Sequence, residues 1–285
     1  MNYINKRFLL QKRPTGMPED NCWVMDSEKI TELKKQEILI KAEYLSIDPY
    51  MRGKMNDSIS YTPPLKIGEV MVGESVGTVI ESKSKNYAVG DLVTVHQGWQ
   101  TYIKTKDSDP SVLKVPESKL NSSVFLGALG MPGRTAYFGL NYVGKPQPGE
   151  TLVVSAASGA VGSVVGQLGK LIGCEVIGIA GGPEKSKYVT EELKFDQCID
   201  YKNENVVEML EKYCPNGIDI YFENVGGIDG NSGNEGYSSS VSGAIISAGA
   251  IKDLSFLDEN DVPVVSIHGT SDMIVNYNCG SVYQN

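Results

Sequence analysis

Histidine and cysteine are scarce in this 285-residue chain, and the scarcity excludes several chemistries at once. His96 and His268 are the two histidines, far apart in sequence, so no imidazole cluster is available for a catalytic metal. The five cysteines, Cys22, Cys174, Cys198, Cys214 and Cys279, are odd in number and scattered, with no C-x-x-C pair. They make neither a disulfide framework nor a zinc knuckle, and the expected metal is none. Long apolar runs are also missing: nothing approaches the ~18 residues of a membrane span. The N-terminal MNYINKRFLLQKRP has a single short apolar run, residues 8–10, well below a signal-peptide core. The expectation is a soluble, cytoplasmic protein with no membrane partner. Positive charge is in deficit as well. A net charge of −9 argues against nucleic acid as a partner, since binding a polyanion needs a basic stripe that displaces counterions.

What is present in quantity is apolar and small. Hydrophobic residues make up 41% of the chain, enough at this length for two cores and hence two domains. The most informative stretch is residues 151–162, TLVVSAASGAVG. Its apolar start reads as a buried parallel strand, its middle as a small-residue turn, and the continuation to residue 172 as a helix. Strand, turn and helix in that order form a mononucleotide-binding unit. In the dinucleotide fingerprint the first glycine makes a tight turn, the second admits pyrophosphate to backbone N–H groups and the third lets helix pack on strand. Ala157 stands in the first place, with Gly159 and Gly162 in the second and third.

Upstream, ILIKAEYLSID from Ile38 alternates as a half-buried strand until Asp48-Pro49-Tyr50, and glycine-punctuated apolar stretches follow to residue 95. Residues ~30 to ~120 read as an all-β unit, a small barrel. Residues 126–140, LGALGMPGRTAYFGL, read as a linker helix. Downstream, EVIGIA (175–180) is a second strand, residues 184–193 a helix, QCIDY (197–201) a third strand, 206–213 a helix and 218–222 a fourth strand. The run implies a doubly wound parallel sheet, whose ligands bind beyond the carboxyl ends of the strands. The second strand ends in Gly181-Gly182-Pro183-Glu184-Lys185. The acid that would receive a ribose 2′-hydroxyl is missing from the strand end and Lys185 lies close by, which favours a 2′-phosphate.

Five stretches in order carry a resemblance to a known family: LSIDPYMRG (45–53), GMPGRTAYFGL (130–140), AASGAVGSVVGQ (156–167), GIAGGPEK (178–185) and FENVGG (222–227). Residues ~3–227 resemble the zinc-free branch of the medium-chain dehydrogenase/reductases, specifically the NADPH-dependent prostaglandin, leukotriene, 2-alkenal and curcumin reductases. Arg134 departs from the pattern, being apolar in most of that family. The resemblance implies a chaperonin-10-like β-barrel catalytic domain over residues 1–128 and a Rossmann domain over residues 129–228. It implies that Gly159, Ala160, Val161 and Gly162 cradle pyrophosphate, that Lys185 binds the 2′-phosphate, that Tyr201 flanks the adenosine and that Asn224 lies near the nicotinamide. Tyr50 would line the substrate cleft as the catalytic candidate, and Asp48-Pro49-Tyr50 stands where the zinc branch has a cysteine. The implied reaction is conjugate reduction of an enone or enal with NADPH, and the resemblance is compatible with a homodimer.

After Gly227 the resemblance stops. The expected Rossmann sheet is therefore truncated after its fourth strand, with residues 229–285 an unrelated tail joined near Ile228. VPVVSIHGTSD, residues 262–272, resembles the late strand of an α/β-hydrolase, with Asp272 as a triad acid and His268 as a supporting residue. A serine hydrolase is a weak alternative, because no G-x-S-x-G occurs in the chain. A strand-end acid at a turn accounts for Asp272 more simply. A catalytically impaired NADP-binding fusion is the other alternative. The half-sheet would leave an unpaired edge, and the tail's apolar runs, residues 244–251 and 262–267, are the segments available to cover it.

Overall fold

The computed structural model describes residues 3–57 and 63–223, together with the backbone of three further strands at residues 244–247, 264–267 and 275–277. The chain divides into two compact units, Met1–Gly127 and Ala128–Asn285.

The first unit is β-rich. β1 (Ile4–Leu10) and β2 (Trp23–Lys29) form an antiparallel pair, and β3 (Glu37–Leu45) follows. α1 (Tyr50–Lys54) comes next, then β4 (Ser75–Ser82), β5 (Leu92–Val95), β6 (Tyr102–Lys106) and β7 (Leu113–Lys114). Strands β3–β7 make a five-stranded sheet of order β6-β3-β4-β5-β7, antiparallel throughout. β1 continues past β6 through the Arg7–Gln100 bridge and the Phe8 N–H to Trp99 carbonyl bond at 3.0 Å. Ile38, Leu39 and Ile40 are wholly buried because β3 is central and both its faces are covered, Ile38 and Ile40 by one apolar cluster and Leu39 by another. Two strands, β1 and β2, precede the stretch in which the sequence pattern of strands begins.

The second unit opens with α2 (Met131–Phe138), which continues into a wider helical turn, Gly139–Gly144. Then come β8 (Thr151–Val154), α3 (Gly162–Ile172), β9 (Glu175–Ala180), α4 (Pro183–Lys187), β10 (Gln197–Asp200), α5 (Val206–Tyr213) and β11 (Ile220–Glu223). β12 (Ala244–Ser247), β13 (Val264–Ile267) and β14 (Val275–Tyr277) complete the order. The seven strands form one sheet, β10-β9-β8-β11-β12-β13-β14, parallel except for β14. Counting β8 as the first strand, the six parallel strands stand in the 3-2-1-4-5-6 order of the doubly wound dinucleotide fold. The edge that the sequence leaves open after β11 is thus occupied by backbone from the two apolar runs of the tail, which take the fifth and sixth places.

β8 and β9 are interior strands of this sheet, and their residues from Thr151 to Val154 and from Val176 to Ala180 are buried. α3 sits unusually close to them. A Cβ on Gly166 would fall inside the ring of Phe195, and one on Gly169 would meet Leu152. Small residues at helical spacing, Gly162, Val165, Gly166 and Gly169, are the buried face of α3, so the helix descends onto the strands until backbone meets side chain.

Candidate functional site

The turn between β8 and α3 is fixed by backbone bonds. The Ala157 N–H donates to the Ile179 carbonyl of β9 at 3.0 Å, and the Gly159 N–H donates to the Ala156 carbonyl at 2.8 Å. Ala156 carries the left-handed backbone of this turn, at φ 44°, whereas Ala157, in the first fingerprint place, is wholly buried against the sheet. A Cβ on Gly162 would collide with the Ala156 carbonyl, so only glycine lets the helix start this close to the strand. No side chain caps α3. The Ser163 N–H donates to the Gly159 carbonyl at 3.0 Å, whereas the N–H groups of Ala160, Val161 and Gly162 have no backbone acceptor among the described residues, so this turn and helix start have the form of an anion seat.

β9 and β10 run parallel to β8, which brings the segments following all three strands to one edge of the sheet. Lys185 lies exposed on α4, just beyond β9. Its neighbour Lys187 pairs with Glu191 at 3.8 Å, while Lys185 enters no ion pair among the described residues. Tyr201 follows β10, with its N–H bonded to the Ala180 carbonyl at 3.1 Å. Its ring covers Gly181 so closely that a Cβ there would come within 2.7 Å of it. The next residue, Gly182, has φ 98°, in the left-handed region that favours glycine. The pyrophosphate, 2′-phosphate and adenosine candidates therefore share the carboxyl edge of β8, β9 and β10. Asn224, Asp272 and His268 lie outside the described residues.

Two residues without a role in the sequence reading tie strand ends together. The Ser155 hydroxyl donates to Glu223 Oε1 at 2.8 Å, and the Tyr221 hydroxyl donates to Glu223 Oε2 at 2.7 Å, which fixes the end of β11 beside the end of β8. Asp200, the last residue of β10, accepts the Gly182 N–H at 2.6 Å.

Tyr50 belongs to the first unit, where it opens α1 behind Pro49. Its hydroxyl lies 3.1 Å from Nε2 of His96, and the two rings are 6.1 Å apart at a tilt of 32°. His96 directly follows β5, and its backbone N–H donates to Ser111 Oγ at 3.4 Å. Burial pushes this imidazole below its ordinary value, an effect that nearby Lys54 reinforces and Asp48 opposes. A neutral imidazole can accept the phenolic proton or donate to the phenolic oxygen. Around the pair lies a cluster of Leu10, Cys22, Met51, Met55, Leu65 and Met71, with Trp23 and Trp99 partly buried beside it. α1 is tied to the preceding chain by two arginines: its own Arg52 donates through Nε and Nη2 to the Gly16 carbonyl at 2.9 and 2.7 Å, and Arg13 Nη1 donates to the Met55 carbonyl at 2.9 Å. Sequence reasoning missed His96 as the partner of Tyr50, since 46 residues separate them.

The four described cysteines are free thiols, and burial raises Cys198 and Cys214 to about 11, far from the range of a nucleophile at neutral pH. Among the described residues, no group of three or more His, Cys, Asp or Glu side chains is placed to hold a metal ion, and no helix is long and apolar enough to cross a membrane. A shallow depression of about 710 Å³ beside Asp91 and Lys114 contains none of the candidate residues.

A β-rich unit followed by a doubly wound parallel sheet, with a glycine turn and an uncapped helix at its carboxyl edge, is the architecture of the two-domain dehydrogenase/reductases. Residues 6–113 match the family described as "N-terminal domain of oxidoreductase", and residues 160–263 match that described as "Zinc-binding dehydrogenase". Among the described residues no donor set is assembled for the metal in the second description. The chain is 48% identical to the NADPH-dependent curcumin reductase of Escherichia coli (strain K12) over 223 residues, which is 78% of this chain and 64% of that protein. It is 40% identical to the 2-alkenal reductase (NADP(+)-dependent) of Nicotiana tabacum, over 78% of this chain and 66% of that protein. The crystal structure of CurA in complex with NADPH from Vibrio vulnificus superposes with a TM-score of 0.77 at 44% identity, covering 86% of this chain and 71% of that one. The chain belongs to the zinc-free medium-chain dehydrogenase/reductase family. It spans just under two thirds of the length of the curated relatives it matches.

Proposed function

We propose that this chain is an NADPH-dependent reductase that saturates the C=C bond of small α,β-unsaturated ketones and aldehydes, working as a soluble cytoplasmic enzyme. The reading rests above all on the carboxyl edge of β8, β9 and β10, where a glycine turn, an uncapped helix and an exposed lysine converge without an acid at the end of β9. The names of its relatives agree, since they are NADPH-dependent curcumin and alkenal reductases.

In this reading the backbone from Gly159 to Gly162 holds the pyrophosphate, Lys185 the 2′-phosphate and Tyr201 the adenosine, while Asn224 faces the nicotinamide half. Bound NADPH supplies the hydride that the β-carbon of the substrate receives. As the double bond is reduced, charge gathers on the carbonyl oxygen, and the Tyr50 hydroxyl is the donor assigned to it. In this reading His96 donates from Nε2 to the phenolic oxygen, which keeps the hydroxyl aimed and leaves its proton for the substrate, and a proton from water completes the α-carbon.

The test is twofold. Calorimetric titration is expected to give NADPH a dissociation constant at least about tenfold below that of NADH. Loss of NADPH absorbance on addition of crotonaldehyde, with none on addition of butyraldehyde, is the expected activity. Equal affinities for the two cofactors would refute the reading.

A further inference from the structure

Asp200 stands between the turn that leads into α4, which carries Lys185, and the turn that carries Tyr201, and its hydrogen bonds are unusually many for one carboxylate. Oδ1 accepts the backbone N–H of Gly182 at 2.6 Å and that of Lys202 at 3.1 Å. Oδ2 accepts the side-chain amide of Asn203 at 2.6 Å. The Asp200 N–H donates to Glu204 Oε2 at 2.7 Å, and the Asp200 carbonyl accepts the N–H groups of Asn203 and Glu204 at 3.0 and 2.9 Å. The residue is 8% exposed. These bonds shape residues 201–204 into a turn and fasten that turn to Gly182.

We propose that Asp200 is the positioning residue of the 2′-phosphate site, a carboxylate that locks the turn after β9 to the turn after β10 and so sets the place of Lys185 relative to Tyr201. This deepens the reading given under the proposed function and rests on it. Three features support the assignment. Gly182, the residue that Asp200 grips, has left-handed backbone and begins the segment leading into α4. Gly181, beside it, lies under the Tyr201 ring, so the two turns are in contact at the backbone as well. Finally, the carboxylate is directed at N–H donors. The Gly182 N–H foremost, then the Asn203 amide, hold its pKa below the usual carboxylate range, so it is ionised and fully engaged at neutral pH. An acid at the end of β9 would bind the ribose 2′-hydroxyl, whereas this acid, at the end of β10, serves the backbone of the turn that leads into the lysine-bearing helix α4.

The experiment measures dissociation constants of 2′,5′-ADP and 5′-AMP by calorimetry on the full chain, its Asp200→Asn variant and its Asp200→Ala variant, each checked for folding by circular dichroism. These probes lack the nicotinamide half and report on the adenosine end alone. Asparagine keeps an oxygen for the Gly182 and Lys202 N–H groups, and Asn203 can reverse its amide to face the new donor. The parent and Asp200→Asn are expected to prefer 2′,5′-ADP to a similar degree, within threefold. In Asp200→Ala that preference is expected to fall at least about tenfold. If the alanine variant does not fold, Asp200→Ser replaces it, since its hydroxyl is too short to reach Gly182. Equal losses for both probes would reduce Asp200 to general structural support and overturn the proposal. Tighter 2′,5′-ADP binding by Asp200→Asn would also overturn it, by showing that the carboxylate repels the phosphate. A parent with no preference for 2′,5′-ADP removes the 2′-phosphate reading itself and this proposal with it; a parent preference that survives Asp200→Ala removes the proposal alone.

Discussion

The two candidate regions are built from different materials. In the second unit the anion seat is backbone: a turn, a helix start and glycines that let them approach the sheet. In the first unit the chemistry is a pair of side chains, Tyr50 and His96, brought together from α1 and the end of β5 within an apolar cluster. A backbone site depends on local sequence and tolerates changes in its surroundings, provided that the small residues stay small. A side-chain pair depends on distant packing and is lost with either partner. One region should therefore fail sterically and the other chemically.

The largest expected effect tests the backbone site. Gly159→Val places a branched side chain in the space where the pyrophosphate would sit, and NADPH binding is expected to weaken at least about hundredfold with the first unit still folded. Fluorescence titration and circular dichroism check the two halves of that statement, and parent-like binding would make the turn a turn only. Tyr50→Phe tests the other region. Removing one donor to a developing oxyanion is expected to lower turnover of an enal by about 10²-fold while leaving the NADPH dissociation constant unchanged. A comparable loss in cofactor affinity would break the division of labour between the units.

Smaller effects sharpen it. Lys185→Ala is expected to weaken NADPH by about tenfold, or about 1.4 kcal/mol, and to leave NADH unchanged. Direct titration with both cofactors decides the point. The least effect concerns His96. Because burial lowers its pKa in the folded protein, the unfolded chain binds more protons below its ordinary value, near 6.5. Stability from this group is therefore steady above about pH 6.5 and declines as the pH falls toward and through the folded value. Between pH 8 and pH 5.5 the melting temperature of the parent is expected to fall by roughly 2 °C more than that of His96→Gln. Equal falls would mean that the ring is not held neutral by its surroundings.

Much of the second unit was legible because its elements are locally signalled. α5 lies where the apolar spacing puts it, and Asn205 caps it, its side chain accepting the Val207 and Glu208 N–H groups at 3.0 and 3.4 Å. The helix expected over residues 184–193 instead becomes α4 followed by a wider turn, Tyr188–Glu192, where the Thr190 hydroxyl donates back to the Ser186 and Lys187 carbonyls. Apolar spacing does not report such back-bonding. β1 and β2 escaped notice because Ile4, Phe8, Val24 and Met25 are exposed, so the pair has no clean alternation of apolar and polar residues. The Tyr50–His96 pair and the role of Asp200 are products of tertiary structure, and no local pattern announces either.

The closeness of α3 to its sheet has a consequence for how a ligand would be received. The helix is held at three places along its length: at Gly162 against the Ala156 carbonyl, at Gly166 against Phe195, and at Lys170, whose ammonium meets both oxygens of Asp196 at 2.7 Å. Asp196 in turn accepts the Val176 N–H at 2.7 Å, so the last of these supports is anchored in β9 itself. Held in this way, the helix has little freedom to rock, and its amino end points the same way before and after an anion arrives. Association then loses little configurational entropy at the protein side of the contact, and the free energy of the charged hydrogen bonds goes into affinity instead of ordering.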